Sequence, residues 1–316
     1  MNFVEQPFYI YTFSCHEDEI DLSRLEMRAL FQTDTTTGIL GSSISVNPSR
    51  SPFMRERLEV LFHADQLPML YEQLSKLELT NHTFKVIYIK TNDQTPSEKL
   101  TYAQQREVER ELGAKIVGKA NMKDPDQIFG IVTMRGRWYF GHYLKNEPIW
   151  LTHQTRPVPY SIALPTRIAR AIANIAVPNP DEVCAIDPCC GSGTVLIEAL
   201  SMGINIVGRD YNPLIATGAR QNIAHFGYCC EIVYGDIADI TDHFDVAILD
   251  LPYNHVTKAT PEDQHALVQH ARRIATRVVV ISIASIDHML EASGLTIIDR
   301  CIVNKGKFSR HIMVCH

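Results

Sequence analysis

The sequence predicts an α/β protein: a mostly parallel sheet in the second half, preceded by an α+β region. Three observations carry this. From Val183 onward, short apolar runs alternate with helical patterns, as parallel strands joined by right-handed crossover helices require. The first of these strands runs into Gly191-Ser192-Gly193 at the start of a helix, a turn that lets backbone approach a ligand closely. Before Arg156, strands and helices follow one another without that regularity. The 316 residues suit two domains, expected at 1–150 and 151–316.

In the first half, Phe84 to Lys90 reads as a strand. Lys99 to Leu112 reads as a helix stopped by Gly113. Ile128 to Met134 and Arg137 to Leu144 read as a hairpin around Arg135-Gly136. A proline-bearing connection follows, Arg156-Pro157-Val158-Pro159-Tyr160 and then Leu164-Pro165-Thr166. Arg167 to Ala176 is a helix pattern ended by Pro178 and Pro180. Beyond it, Val183–Ile186 is a buried strand, Thr194–Met202 a helix with Gly203 as its stop, and Ile204–Gly208 a strand. Asn212-Pro213 opens a helix to Phe226, with Gly227 beyond it. Glu231–Tyr234 and Phe244–Leu249 are strands, Pro261–Thr276 a helix, and Val278–Ile283 a strand. Thr296–Val303 and His311–Cys315 form an expected antiparallel pair.

Composition excludes several classes. Apolar residues make up 45% and charged residues 21%, an ordinary globular balance. No apolar run reaches the ~18 residues that span a bilayer, and Met1 to Glu5 has no basic segment leading into an apolar one. No membrane association is expected. The eight cysteines are scattered, with Cys189-Cys190 and Cys229-Cys230 adjacent and no C-x-x-C pair. Free thiols in a cytoplasmic protein are expected, and no metal site. The thirteen histidines show no ligand spacing, and His265 and His270 read as helix-surface residues. Net charge is −6, so a polyanion would have to be met by local basic patches.

The acids after the strands carry the first chemical signal. Asp187 ends the first strand of the second half, ahead of the Gly191-Ser192-Gly193 turn. Asp210 ends the next strand, 19 residues after Gly191, a spacing that suits a carboxylate gripping ribose hydroxyls. Asp236 follows the third strand, placed to accept from an adenine amino group. In an open α/β sheet these strand ends share the edge where ligands bind. A dinucleotide fingerprint needs glycine where Leu196 stands, and Asp187 would repel a pyrophosphate. A nucleoside carrying sulfonium and ammonium groups suits the acids, and S-adenosylmethionine is such a ligand.

The second signal is Asp250-Leu251-Pro252-Tyr253 after the fourth strand. An exocyclic amine on a base is a weak nucleophile, because its lone pair is delocalised into the ring. The Asp250 carboxylate and a backbone carbonyl near Leu251 can accept its N–H groups and orient the lone pair. Tyr253 can stack on the base, which adds ~1–3 kcal/mol and holds it once extruded.

These residues resemble known families. Asp187 to Thr194 is similar to the first motif of class I methyltransferases, whose domain is a Rossmann-like, seven-stranded, mostly parallel sheet. Asp250 to Tyr253 resembles the acid-or-amide, Pro, Pro, aromatic motif of amino-methyltransferases. Pro125 to Gly130, Tyr139-Phe140-Gly141, Arg156 to Tyr160 and Asp187 to Gly193 together resemble the tRNA guanosine-N2 methyltransferases that modify position 10. In that family a THUMP-bearing N-terminal region captures the tRNA. The resemblance implies catalytic roles for Asp250, Leu251, Pro252 and Tyr253. It implies contacts of Asp187, Cys189, Gly191 and Gly193 with the methionine side of the cofactor. Asp210 with Tyr211 falls to its ribose, Asp236 with Ile237 to its adenine, and Thr166 to its carboxylate. The chain departs from the pattern at Leu251, where the family has proline, at Asn254, often glycine, and in a shorter THUMP-like region.

Two basic stretches are candidate RNA contacts or solvated faces: Arg300, Lys305, Lys307 and Arg310 near the end, and Arg135, Arg137, Lys145 and Arg156 beside Trp138 and Tyr139. The reading is an S-adenosylmethionine-dependent methyltransferase acting on guanosine N2 in tRNA. The alternatives are methylation of adenine N6 in RNA or DNA or of a protein glutamine, and a non-catalytic RNA-binding protein on the same fold.

Overall fold

The structure is a computed structural model and describes residues 6–91, 93–95, 99–160, 163–252, 259–305 and 308–316. In chain order it forms β1 (Tyr9–Phe13), α1 (Ile20–Phe31), β2 (Ile39–Ser42), β3 (Met54–Ala64), α2 (Leu67–Leu74) and β4 (Glu78–Tyr88). Next come α3 (Tyr102–Gly113), β5 (Val117–Ala120), β6 (Gln127–Met134), β7 (Arg137–Lys145), α4 (Thr166–Ala176), β8 (Cys184–Asp187) and α5 (Thr194–Ser201). The chain continues through β9 (Asn205–Asp210), α6 (Pro213–His225), β10 (Ile232–Tyr234), β11 (Phe244–Asp250) and α7 (Pro261–Ile274). It ends with β12 (Ala275–Ser282), α8 (Asp287–Ala292), β13 (Ile297–Lys305) and β14 (Phe308–Cys315). Among the described residues no helix is long and apolar enough to cross a membrane.

Two compact units result. The first takes the described parts of Met1–Ser14, Thr35–Ser49 and Phe53–Glu147. Its sheet has the order β2-β1-β3-β7-β6-β4-β5, with β4 parallel to β5 and β6. The β6–β7 hairpin turns on Arg135 and Gly136, with φ of 53° and 76°, the left-handed pair that matches strand twist. Thr101 and Gln104 cap α3 reciprocally, which starts the helix at Tyr102 rather than at Lys99. The α3 residues Val108 and Leu112 are buried with Phe84, Phe129 and Phe140. Phe129 and Phe140 stack with ring centroids 5.3 Å apart.

The second unit takes Cys15–Asp34, Arg50–Pro52 and the described parts of Pro148–His316. The chain therefore does not divide at a single point near residue 150, because α1 and residues 50–52 fold with the later half. Its sheet has the order β10-β9-β8-β11-β12-β14-β13. Strands β8 to β12 run parallel, and β14 is antiparallel to β12 and β13. The apolar runs in β11 and β12 are buried, as a doubly covered parallel sheet demands. The helix expected through Thr276 stops at Ile274, and β12 begins at once because Ala275 pairs with Phe244. The strand order reverses between β8 and β11, where α/β sheets open a crevice at their carboxyl ends.

Two buried polar networks tie this unit together. Glu26 of α1 is 0% exposed and accepts from Ser51 Oγ at 2.5 Å and Asn174 Nδ2 at 2.7 Å. Glu198 of α5 accepts from Arg170 Nη1 at 2.6 Å and lies 2.7 Å from His153 Nδ1, while Arg170 Nε donates to the Arg50 carbonyl at 2.8 Å.

Burial drives the Glu26 carboxyl from its ordinary 4.5 up to about 7, against the hydrogen bonds from Ser51 and Asn174. Between those pH values the folded chain holds a proton that the unfolded chain releases. The stability this supplies is complete below 4.5 and lost as pH rises to about 7. The expected loss is about 3 kcal/mol. Urea unfolding of wild type and Glu26→Gln at both ends of that window checks it: the wild-type free energy is expected to fall by that amount relative to the variant, and parallel pH dependences would refute the assignment.

Candidate active site

The carboxyl edge of the second sheet opens into a cavity of about 540 Å³. Asp187 at the end of β8, Asp210 at the end of β9, Asp236 after β10 and Asp250 at the end of β11 all line it. Cys189, Gly191, Tyr211, Ile237, Leu251 and Pro252 line it as well. Topology explains the convergence. Parallel strands end on one edge, so residues that are last in successive strands become neighbours however far apart they stand in the chain.

Backbone hydrogen bonds set the acids. Asp210 accepts from the Gly191 N–H through Oδ2 and from the Asn212 N–H through Oδ1, each at 2.9 Å. It clamps the turn after β8 to the start of α6. Asp187 accepts from the Cys189 N–H at 3.3 Å, and Asp236 from the Ala238 N–H at 2.9 Å. Gly193 has φ +82° and caps α5; its part is conformational, since it does not line the cavity. Thr166 does not line it either, being buried at the first position of α4. Tyr253 and Asn254 lie outside the described residues.

The cavity is built for positive charge. Burial pushes the Asp187 carboxyl well above the usual range, and the neighbouring Asp250 and Asp210 carboxylates push it further. Burial raises Asp210 against its two N–H bonds. Burial lifts Asp250 to about 7, while the Arg310 charge pulls it back. Like charges held together out of water disfavour ionisation, and a cation among them reverses this. Two buried polar atoms on the cavity wall, Asp250 Oδ1 and Ser192 Oγ, have no hydrogen-bond partner among the described residues. Such atoms call for a polar ligand. A nucleoside with cationic groups, as S-adenosylmethionine is, fits this donor and acceptor set. Cys189 is no nucleophile here, because burial and the surrounding carboxylates drive its thiol far up.

The turn after β11 shows how Leu251 serves where proline was expected. Its side chain is 1% exposed and packs with Leu249 and Val280. Its N–H donates to the Ile281 carbonyl at 3.0 Å, a bond that proline would lack. The Pro252 carbonyl accepts from Gln264 Nε2 of α7 at 2.7 Å. Tertiary hydrogen bonds, rather than a second ring, fix this backbone.

Several cavity residues carried no sequence signal. Tyr160, Ser192, Asp263 and His270 line the wall. Tyr160 stood in a proline-bearing segment and Ser192 inside the glycine turn. Only the packing of α7 on the sheet brings in Asp263 and His270. His270 thus faces the cavity rather than open solvent, and His265 Nε2 is buried.

The basic stretches come apart. Arg300 pairs with Asp287 at 2.9 Å, Arg310 is 9% exposed, and the side chains of Lys305 and Lys307 lie outside the described residues. Arg137 pairs with Asp65 at 2.6 Å. Arg156 belongs to the other unit and donates to Thr194 Oγ1, fastening the proline-bearing segment to α5. Buried or paired cations such as Arg310 and Arg156 are not an open phosphate-binding face.

The chain is similar to several known proteins. Over 102 residues the chain is 33% identical to the tRNA (guanine(10)-N2)-dimethyltransferase of Methanothermobacter thermautotrophicus, covering 31% of this chain and 30% of that protein. Over 162 residues it is 30% identical to the protein of the same name from Pyrococcus abyssi, covering 48% of each. The match therefore spans less than half the length of these curated relatives. The crystal structure of TrmN from Thermus thermophilus aligns over 98% of this chain and 99% of its own, at 17% identity and a TM-score of 0.49. Residues 153–292 match the family model described as UPF0020, RMKL-like, methyltransferase domain. That span contains all five aspartates that line the cavity, Asp187, Asp210, Asp236, Asp250 and Asp263.

Proposed function

We propose that this chain is an S-adenosylmethionine-dependent RNA methyltransferase that methylates the exocyclic N2 amine of guanosine in tRNA, with position 10 as the target. The carrying observation is the placement of Asp250: a carboxylate with one buried oxygen that has no hydrogen-bond partner among the described residues, on a fixed turn, in the wall of an acid-lined cavity. The relatives named tRNA (guanine(10)-N2)-dimethyltransferases support the acceptor. S-adenosylmethionine, when bound, would supply an electrophilic methyl group, its carbon–sulfur bond breaking to leave a neutral thioether as the new carbon–nitrogen bond forms. Asp187 and Asp210 offer the negative wall that suits its cationic part and its ribose, and Asp236 with Ile237 suits its adenine. Asp250 Oδ1 accepts one N–H of the acceptor amine and turns its lone pair toward the cavity. As the amine nitrogen gains its new carbon it sheds a proton, which Asp250 is placed to take and pass to water. Tyr253 is the proposed stacking platform for the base. The first unit is proposed to be THUMP-like and to capture the tRNA, in the cytoplasm.

The test is to incubate the purified chain with methyl-labelled S-adenosylmethionine and an unmodified tRNA transcript, then digest to nucleosides. Label is expected in N2-methylated guanosine. Label in N6-methyladenosine, or in no nucleoside, would overturn the proposal.

A further inference from the structure

We propose that Arg310 is a positioning residue of this site: its buried guanidinium lies over the same sheet face as Asp250 and keeps that carboxylate charged for the acceptor amine. The inference rests on the methyl-transfer reading above and deepens it.

Strand register carries the argument. Asp250 pairs with Ile281 across β11 and β12, and Ile281 pairs with Ile312 across β12 and β14. Residues paired across neighbouring strands project to one face, so these three form a row. Side chains repeat every second residue along a strand, so Arg310 shares the face of Ile312. Because β14 is antiparallel, the step from Ile312 to Arg310 leads toward the carboxyl ends of β11 and β12, the edge that Asp250 occupies. The opposite parity confirms the assignment: Leu249, Val280, Met313 and Cys315 pack together in one core cluster.

Burial and charge agree with it. Arg310 is 9% exposed, and a positive charge held out of water acts more strongly on a nearby carboxylate than one that water screens. Around Asp250 the other groups are mostly acidic. Asp187 and Asp210 come from β8 and β9, Cys189 from the turn after β8, and Asp263 and His270 from α7. On α4, Arg167 is engaged by Glu19 at 3.2 Å. Burial raises the Asp250 carboxyl, and the Arg310 charge is what opposes that rise. A protonated Asp250 has lost the charge that strengthens its grip on an amine N–H, so the cation preserves the acceptor the chemistry uses.

The experiment compares full-length wild type, Arg310→Gln and Arg310→Lys. Carboxyl-carbon NMR titration without cofactor reads Asp250 directly, with its resonance identified by its loss in Asp250→Asn. In Arg310→Gln the midpoint is expected to move up by about 1–3 pH units, and in Arg310→Lys to stay within about half a unit of wild type. Single-turnover methyl transfer is expected to shift its acid limb in step: about tenfold or more slower than wild type near pH 6.5 for Arg310→Gln, recovering toward the wild-type rate only as pH passes the raised midpoint, with KM for RNA unchanged. An unmoved Asp250 midpoint in either folded variant pair, or a raised KM with a flat rate loss at every pH, makes Arg310 an RNA contact or a packing group and overturns the proposal. A moved midpoint in a wild type that methylates no RNA leaves the Arg310–Asp250 pair standing and sinks the functional reading instead.

Discussion

Asp250→Ala is expected to slow methyl transfer to tRNA by about 10²–10³, the range for removing one preorganised electrostatic contact from a transition state. Cofactor affinity, read by calorimetry, is expected to change less than about tenfold, because Asp187, Asp210 and Asp236 remain on the cavity wall. The split separates a group that meets the acceptor from one that only holds the cofactor. A second readout guards against trivial unfolding. Asp250 Oδ1 is buried without a hydrogen-bond partner among the described residues, and burial lifts its carboxyl to about 7. The melting curve reads folding directly, and lost activity in a variant that still melts cooperatively and still binds cofactor is the signature of a residue retained for chemistry. Wild-type activity in this variant would remove Asp250 from the mechanism.

Glu198→Ala is expected to destabilise the second unit by about 3–5 kcal/mol, the cost of leaving a buried charge without its counterpart. Glu198 is 0% exposed and Arg170 2% exposed. Both carboxylate oxygens are engaged, one by Arg170 at 2.6 Å and one by His153 at 2.7 Å. Arg170 also donates to Ser201 Oγ and to the Arg50 carbonyl, each at 2.8 Å. Loss of the carboxylate strands the guanidinium between α4 and α5 and opens a void beside it. Denaturant unfolding checks the magnitude. A double replacement, Glu198→Leu with Arg170→Met, is expected to recover most of the loss, because well-packed apolar groups replace a buried pair at little cost. If the single variant costs under about 1 kcal/mol, the network is ornamental. The effect also bears on the site, since Thr194 and Val195 at the start of the same helix line the cavity.

The sequence by itself determined what is local or periodic. Apolar runs marked β8, β11 and β12, Asn212 with Pro213 marked the start of α6, and Arg135-Gly136 marked the hairpin turn, because caps and turns are decided by a few adjacent residues. It also determined the acid series, since a parallel sheet brings every strand end to one edge whatever the loops do between them. Tertiary structure alone decided the rest. Glu26 meets Asn174 across 148 positions, so nothing near α1 announced that it folds with the second half. Gln264 clasps the Pro252 carbonyl from a neighbouring helix, which is why a leucine suffices where a second proline was expected. Arg310 read as part of a basic hairpin, either a solvated face or an RNA contact. The antiparallel return of β14 beside β12 turns it inward on the Asp250 face, because which side chain is buried depends on register, and register is settled only when distant strands pair.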